Sequence, residues 1–148
     1  MPTLVHNQRL KFDYEILENF TAGIVLTGAE VKSCKRKQVS LQGAYIIIEG
    51  GAAWLKNARV SPYQANNQRH YDPLRLRKLL LRRVELASLT GKLQQAGLTL
   101  LPESLYTQGG LVKVKLVLVR GRKKVDKRAL IKKRDVDRRI AQALRRAI

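Results

Sequence analysis

The fold is decided by the stretch Leu98-Thr-Leu-Leu-Pro-Glu-Ser-Leu-Tyr-Thr-Gln-Gly-Gly-Leu-Val-Lys-Val-Lys-Leu-Val-Leu-Val119. Two apolar runs flank the pair Gly109-Gly110, and a glycine pair permits the tight turn of a β-hairpin. In the second run Lys113 and Lys115 alternate with apolar residues, which places both lysines on one face of a strand, toward solvent or a ligand. The stretch therefore predicts strands over residues 98–106 and 111–119.

Upstream of this hairpin the sequence predicts further strands and two helical segments. Residues 44–49 and 52–60 flank Gly50-Gly51 and form a second predicted hairpin. Residues 12–16 and 22–26 have the pattern of short strands. Thr27 and Glu30 form a capping-box pattern, which predicts a short basic helix over 31–37.

Residues 74–95 have a leucine pattern that predicts the second helical segment. Leu79, Leu80, Leu86, Leu89 and Leu93 can share one apolar stripe, with a break allowed near 82–84. The chain is therefore predicted to be mainly β, with a small antiparallel sheet and flanking short helices. Short strands protect their edges by curling toward a closed barrel, and a barrel of the oligonucleotide-binding (OB) type suits the charge. The pattern alone leaves the topology open.

Positive charge is concentrated at the C-terminal end of the chain. The 148 residues include 30 Lys and Arg and 11 Asp and Glu, a net charge of +19. Residues 120–148 hold 13 Lys and Arg and 3 Asp, so this fifth of the chain carries +10. The asymmetry predicts a body over residues 1–119 and a basic tail over 120–148, with a polyanion as partner.

Nucleic acid suits this charge better than a membrane surface does. No apolar run approaches the roughly 20 residues of a membrane-spanning helix, and residues 1–11 lack the apolar core of a signal peptide. The single cysteine, Cys34, cannot form an intrachain disulfide. We therefore expect a cytoplasmic protein with no membrane partner.

The tail combines its charge with an apolar seam. Val136, Ile140, Leu144 and Ala147 recur at helical spacing among basic residues. An isolated helix of this length and charge is marginal in water, so we expect a disordered tail that becomes helical when phosphates neutralise it. A solvated tail without a specific target is the alternative, but such a tail has no need of an apolar seam.

The sequence has few residue patterns that are typical of catalytic sites and more that are typical of nucleic-acid binding. His6, His70 and Cys34 are far apart in sequence, so we predict no catalytic residue, no metal and no cofactor. Tyr63 and Tyr71 lie in a polar loop near basic residues, where rings can stack on RNA bases. Four other aromatics are on predicted strands and are expected in the core: Tyr14, Tyr45, Trp54 and Tyr106.

Three motifs in this order and spacing resemble the SsrA-binding protein (SmpB) family. They are Gly28-Ala-Glu-Val-Lys-Ser33, Asp72-Pro-Leu-Arg-Leu-Arg-Lys-Leu-Leu-Leu81 and Asp126-Lys-Arg128, and lesser matches extend the resemblance over essentially the whole chain. The resemblance implies a six-stranded OB-like barrel with flanking helices. It also implies a monomeric, non-enzymatic factor that binds the tRNA-like part of transfer-messenger RNA (tmRNA) and delivers it to stalled ribosomes for trans-translation.

The resemblance also implies which residues bind. Asn7, Gly28, Glu30, Lys32, Leu80 and Lys113 match family positions tied to RNA binding or its support. The predicted RNA-binding set also includes Arg9, Ser33, Arg75, Arg77 and Lys78. The tail would bind the small-subunit rRNA at the decoding centre and run through the empty mRNA channel. Asp126, Lys127, Arg128, Lys132, Lys133 and Arg134 match the family's tail motif. The predicted tail set also includes Arg122, Lys123 and Lys124 of the basic run before it.

The sequence departs from the family pattern at five places, one of which is Tyr71, which stands between His70 and Asp72 where members have His directly before Asp-Pro. Thr21 stands where members usually have Glu, Lys37 where they have Gly, and Arg82 where they have His. Val125 stands where a His or Tyr ring commonly precedes Asp-Lys-Arg, so the tail here lacks a stacking group worth roughly 1–3 kcal/mol per base. Composition suits a general rRNA-binding or ribosomal-protein-like component equally well, and an RNA-processing enzyme is a third class. The motif set favours the tmRNA factor.

Overall fold

The computed structural model describes residues 2–64, 70–121, 134 and 137–142. The elements of the body, in chain order, are β1 (Thr3–His6), α1 (Leu10–Asp13), β2 (Tyr14–Ile24), α2 (Gly28–Lys35), β3 (Val39–Ser40), β4 (Tyr45–Glu49), β5 (Ala52–Lys56), β6 (Arg59–Val60), β7 (Arg77–Leu80), α3 (Arg83–Leu93), β8 (Leu98–Gln108) and β9 (Leu111–Gly121). Residues 137–142 are also helical.

Both predicted glycine-pair hairpins are present. Gln108 pairs with Leu111 across the β8–β9 turn, and Glu49 pairs with Ala52 across the β4–β5 turn. Every glycine of the two turns has a positive φ, from 58° to 79°. Two-residue turns with two positive φ angles match the twist of the strands that they join, so glycine pairs suit both places.

The strands close into a small antiparallel barrel. Hydrogen-bonded neighbours follow the order β8-β4-β5-β7-β2-β9, and β9 pairs again with β8, which completes a circuit of six strands. Strand β1 pairs with residues 104–106 of β8, on the edge that also pairs with β4 at Leu100. The short strands β3 and β6 form a separate pair. The prediction of a mainly β fold with flanking helices is confirmed.

The core lies inside this circuit, and a smaller cluster lies outside it. Val112, Val114, Leu116 and Leu118 of β9 face the main core, as the alternation predicts. Val117 and Val119, on the opposite face, are buried with Leu10 and Leu101 beneath α1. The outward face of β9 is therefore open at its lysines and covered toward its C-terminal end.

The helix predicted over 74–95 is wrong in its first half. Residues 77–80 form β7, which pairs with β5 and β2, and α3 begins only at Arg83. Arg77 and Leu79 face inward while Lys78 and Leu80 face outward, which is the period of a strand. Leu89 is buried and Leu86 and Leu93 pack beside it, so the apolar stripe holds within α3.

Three smaller predictions also need correction. Residues 10–13 form α1, and β2 then runs without a break from Tyr14 to Ile24. The strand predicted over 52–60 is interrupted at Asn57, whose φ is 63°. The four aromatics expected in the core (Tyr14, Tyr45, Trp54 and Tyr106) are only partly buried. Within the described residues, no helix is both long and apolar enough to span a membrane.

Candidate nucleic-acid interface

The capping box predicted at Thr27 starts helix α2 and orients a buried carboxylate. The Thr27 hydroxyl accepts a hydrogen bond from the Glu30 N–H (3.2 Å), and Glu30 Oε1 accepts one from the Thr27 N–H (2.9 Å). The Glu30 side chain is only 1% exposed. A carboxylate buried to this extent needs cationic partners to stay ionised.

Arg77 supplies the main partner from β7. Its Nε donates to Glu30 Oε2 (2.8 Å), and its Nη2 lies 2.7 Å from the same oxygen. The Nη groups also donate to the carbonyl oxygens of Ala58 (2.8 Å), Arg75 (3.0 Å) and Pro73 (3.2 Å). Because all three nitrogens are hydrogen-bonded, the buried guanidinium is satisfied and joins α2 and β7 to Ala58 and Pro73.

Arg75 and Tyr71 complete the cluster. Arg75 Nη2 lies 2.5 Å from Glu30 Oε1. The Tyr71 hydroxyl lies 3.1 Å from Glu30 Oε2 and 2.9 Å from the Val60 carbonyl oxygen, and it accepts from Arg77 Nη2 (3.0 Å). Burial raises the pKa of Tyr71. Tyr71, predicted as a base-stacking residue, therefore has its hydroxyl committed inside the protein.

The electrostatics of the cluster favour the charged form of Glu30. Burial by itself raises the pKa of this carboxyl. Hydrogen bonds from Arg75, the Thr27 N–H and Arg77 outweigh burial and hold the pKa at about 2. Glu30 is therefore a permanent anion at neutral pH that fixes two arginines.

Burial separates the predicted RNA-binding residues into two groups. Glu30, Ser33 and Arg77 are buried and offer no surface on which an RNA could lie. The remaining predicted residues of the body are exposed or partly exposed: Asn7, Arg9, Gly28, Lys32, Arg75, Lys78, Leu80 and Lys113. The buried group can act on a ligand only by holding exposed residues in place.

Leu80 and Lys113 are brought together by the strand register. Gly23 of β2 pairs with Leu80 of β7 on one side and with Lys113 of β9 on the other. Leu80 is 56% exposed although it is apolar. The row Leu80–Gly23–Lys113 borders a cleft of about 330 Å³ on the outer surface of the barrel, here called the β2 cleft.

The β2 cleft contains cations that the predicted site set leaves out. Arg82 and Lys115 also line it, together with Thr21. Arg82 Nε lies 3.2 Å from Glu85 Oε1, and Lys115 Nζ lies 3.3 Å from Glu103 Oε2. The sequence did indicate that Lys115 lies on the same strand face as Lys113, because both lysines alternate with apolar residues. Nothing local in the sequence pointed to the position of Arg82 beside Lys113.

A larger cleft of about 950 Å³ lies near the N-terminus. Asn7 and Arg9 line it, and Asn7 Nδ2 donates to the Pro102 carbonyl oxygen (3.3 Å). The Arg9 guanidinium lies 5.5 Å from the centroid of the Phe12 ring. Arg134 of the tail lies 5.6 Å from the same ring. The other predicted tail residues, 122–128 and 132–133, lie outside the described residues.

Helix α2 presents the remaining predicted positions. Gly28 is its first residue, and a Cβ there would meet nothing within 4 Å. Lys32 Nζ lies 5.3 Å from the centroid of the Tyr63 ring. Cys34, on the inner face, is fully buried, and burial raises its pKa to about 11. A thiol in this state is a poor nucleophile at neutral pH.

Metal ligands are not gathered anywhere in the described part of the chain. Within residues 2–64, 70–121, 134 and 137–142, no three His, Cys, Asp or Glu side chains are placed to hold an ion. What the described surface does gather is cations around exposed apolar and aromatic groups. This arrangement suits a polyanion with bases or sugars to pack against.

Known proteins resemble the chain along nearly its whole length. The SmpB protein family model matches residues 4–146. The SsrA-binding protein of Gloeobacter violaceus is 46% identical over 143 residues, covering 97% of this chain and 94% of that protein. The SsrA-binding protein of Desulfitobacterium hafniense (strain DSM 10664 / DCB-2) is 45% identical over 139 residues, covering 94% and 89%.

A solved structure, "tmRNA-SmpB: a journey to the center of the bacterial ribosome", has the same fold. It matches with a TM-score of 0.69 and 43% sequence identity, over 83% of this chain and 87% of that one. The family model, the relatives and the fold agree with the motifs that surround Glu30 and Arg77. The chain belongs to the SmpB family.

Proposed function

We propose that this chain binds the tRNA-like part of tmRNA (SsrA RNA) and delivers it to stalled ribosomes for trans-translation. The observation that carries the proposal is its likeness, over 97% of the chain, to proteins named for binding SsrA RNA. The solved relative, described as tmRNA with SmpB in the bacterial ribosome, supports the same partners.

The outer surface of the barrel supplies the chemistry for the body's part in this function. Lys32, Lys78 and Lys113 are cations with exposed surface that suit phosphate contacts, and Leu80 offers an apolar face for a sugar or base. We assign the buried Glu30, Ser33 and Arg77 to support. In this proposal Arg77 and Glu30 keep β7 and α2 aligned, so that Lys78, Leu80 and Lys32 meet the RNA in fixed positions.

The tail is assigned to the ribosome. We propose a body over residues 1–119 and a tail over 120–148 that binds the decoding centre and the empty mRNA channel. Strand β9 runs to Gly121, so the first two residues of this tail, Arg120 and Gly121, still pair with β2 in the barrel. Residues 137–142 are helical. Ile140, which belongs to the apolar seam, is 54% exposed, so its side chain is accessible to a partner.

Catalysis plays no part in this proposal. The chain would act by binding, as a monomer, and in the cytoplasm where bacterial ribosomes translate. Cys34, the one thiol, is buried within α2 and held in its neutral form, which supports a structural place for it.

Two measurements test the function. The full chain is compared for binding to a tRNA-like acceptor and D-loop RNA and to a generic RNA duplex of equal length. We expect a clear preference for the tRNA-like RNA, retained in a variant that ends at Gly121. That variant should fail to support peptide tagging on a message without a stop codon. Equal affinity for both RNAs would favour a general rRNA-binding component instead.

A further inference from the structure

Lys37 has a backbone conformation that residues other than glycine rarely adopt. Its φ is 63°, in the left-handed region, directly after the last turn of α2. The Lys37 N–H donates to the Cys34 carbonyl oxygen (2.9 Å), and the Gln38 N–H donates to that of Ser33 (3.0 Å). This pair of bonds is the Schellman C-cap, in which glycine is strongly favoured at the position of Lys37.

The strained residue extends a row of cations. Lys32, Lys35, Arg36 and Lys37 lie within six residues, and all four side chains are exposed. None of them forms an ion pair with a carboxylate among the described residues. We call these four residues the α2 cationic surface. A helix C-terminus favours nearby cations, but four like charges also repel each other unless an external anion is bound.

Tyr63 holds part of this surface in place. The Arg36 guanidinium lies 4.6 Å from the centroid of the Tyr63 ring, and its Nη2 donates to the Tyr63 hydroxyl oxygen (3.2 Å). Lys32 approaches the same ring at 5.3 Å. An aromatic ring that fixes two cations lowers the entropy cost of binding a phosphate between them.

We propose that Lys37 is an RNA-phosphate-binding residue, kept in a strained cap because its charge completes the α2 cationic surface. The inference rests on the proposed function, since it takes RNA as the partner. It adds a binding surface that shares no residue with the β2 cleft. The strain at Lys37 is a cost in the free protein, and the phosphate contact offsets that cost in the complex.

The test replaces Lys37 in the full chain. Lys37→Gly relieves the strained cap and removes the charge, so we expect Tm to rise by about 2 °C while RNA affinity falls. The slope of log K against log salt should become shallower by about 1, the loss of one phosphate contact. Lys37→Arg keeps the charge and should keep the slope.

The chain offers a matched control at Asn57, which has the same φ of 63° on an uncharged residue. Asn57→Gly changes the same backbone property, and we expect its RNA binding to be unchanged. Two probes identify the source of the phosphate: the tRNA-like RNA fragment and vacant small ribosomal subunits. A slope change with either probe supports the proposal and names the RNA.

Two results would overturn the inference. One is an unchanged salt slope for Lys37→Gly with both probes. The other is a lower Tm for Lys37→Gly, which would mean that the lysine is retained for stability. Failure of the proposed function would look different, because the wild-type chain would then show no preference for tRNA-like RNA while Lys37→Gly still reduced the slope.

Discussion

Leu80 and Lys113 are cross-strand neighbours of one residue, Gly23, and flank it from opposite sides. Because Gly23 has no side chain, an apolar group and a cation border an open cleft instead of packing on a third residue. A Cβ at Gly23 would lie 3.4 Å from both Cβ and Cδ1 of Leu80. The openness of the β2 cleft therefore depends on this glycine.

A side chain at Gly23 would fill part of the β2 cleft and should weaken RNA binding. Gly23→Val is compatible with a strand, but its branched side chain would press on Leu80 and occupy the space beside Lys113. We expect affinity for the tRNA-like RNA to fall about tenfold, or about 1.4 kcal/mol. Gly91→Ala is the control, since a Cβ there would meet nothing within 4 Å and should leave binding unchanged. Wild-type affinity in Gly23→Val would remove the β2 cleft from the RNA interface.

Removing the lysine of the same row gives an electrostatic prediction. Lys113→Ala should weaken binding and make the salt slope shallower by about 1. Lys115→Ala is the matched comparison, because Lys115 lies two residues along β9 and is already paired with Glu103 at 3.3 Å. We expect a smaller slope change there. Equal slopes for wild type and Lys113→Ala would show that Lys113 contacts no phosphate.

The buried cluster predicts how stability responds to acid. The pKa of Glu30 is about 2 in the folded protein, against 4.5 for a free carboxyl. The ionised form therefore stabilises the fold, fully above about pH 4.5, and this contribution is lost as the pH falls toward 2. Its size is on the order of 3 kcal/mol. Denaturant unfolding of the wild type between pH 5 and pH 2 should show this loss.

Substitution isolates the contribution of Glu30. Glu30→Gln leaves Arg77 as an uncompensated buried charge and should cost about 3–5 kcal/mol at pH 7. Its stability should then vary less with pH than that of the wild type. Glu85→Gln is the control, because its partner Arg82 is 85% exposed and the amide oxygen of the variant can still accept the Arg82 N–H, so we expect a small cost. If Glu30→Gln does not fold, NMR titration of the Glu30 carboxyl in the wild type decides the matter, and a midpoint near 4.5 would contradict the cluster's role.

The apolar seam of the tail gives a prediction that distinguishes binding to tmRNA from action on the ribosome. Ile140→Asp combined with Leu144→Asp should leave RNA binding by the body unchanged and abolish tagging on stalled ribosomes. Ile140 is exposed in the described helical segment, and Leu144 lies outside the described residues. Arg138→Gln is a control that changes charge but keeps the seam. Normal tagging by the double variant would mean that the apolar seam has no role on the ribosome.

Elements that depend on nearby residues were predicted well from the sequence. Elements that depend on contacts between distant residues were predicted poorly. The β8–β9 and β4–β5 hairpins were predictable because a glycine pair and alternating side chains lie within about 20 residues. Strand β7 was missed because Leu79 and Leu80 fit a helical stripe as well as a strand. What makes residues 77–80 a strand is pairing with β5 and β2, and the Arg77 contact with Glu30, 47 residues earlier.

The site was predicted residue by residue, but not as an arrangement. Resemblance pointed to Leu80 and Lys113, yet their proximity depends on the register of three strands, which no local pattern encodes. The burial of Arg77 was missed because a basic residue among other basic residues suggests a solvated position. The distant carboxylate of Glu30 makes its burial favourable, together with the carbonyl oxygens of Ala58, Arg75 and Pro73.

The pairing of the barrel also sets an order of events during synthesis. Strands β1 and β2, at the start of the chain, pair with β8 and β9, at the end of the body. Strand β1 and residues 14–22 of β2 therefore lack their partners until residues 98–121 have left the ribosome that makes them, whereas Gly23 and Ile24 can pair earlier with β7. A nascent chain of this protein that stops short of β9 has no closed barrel, and its first strands are left without the partners that complete them.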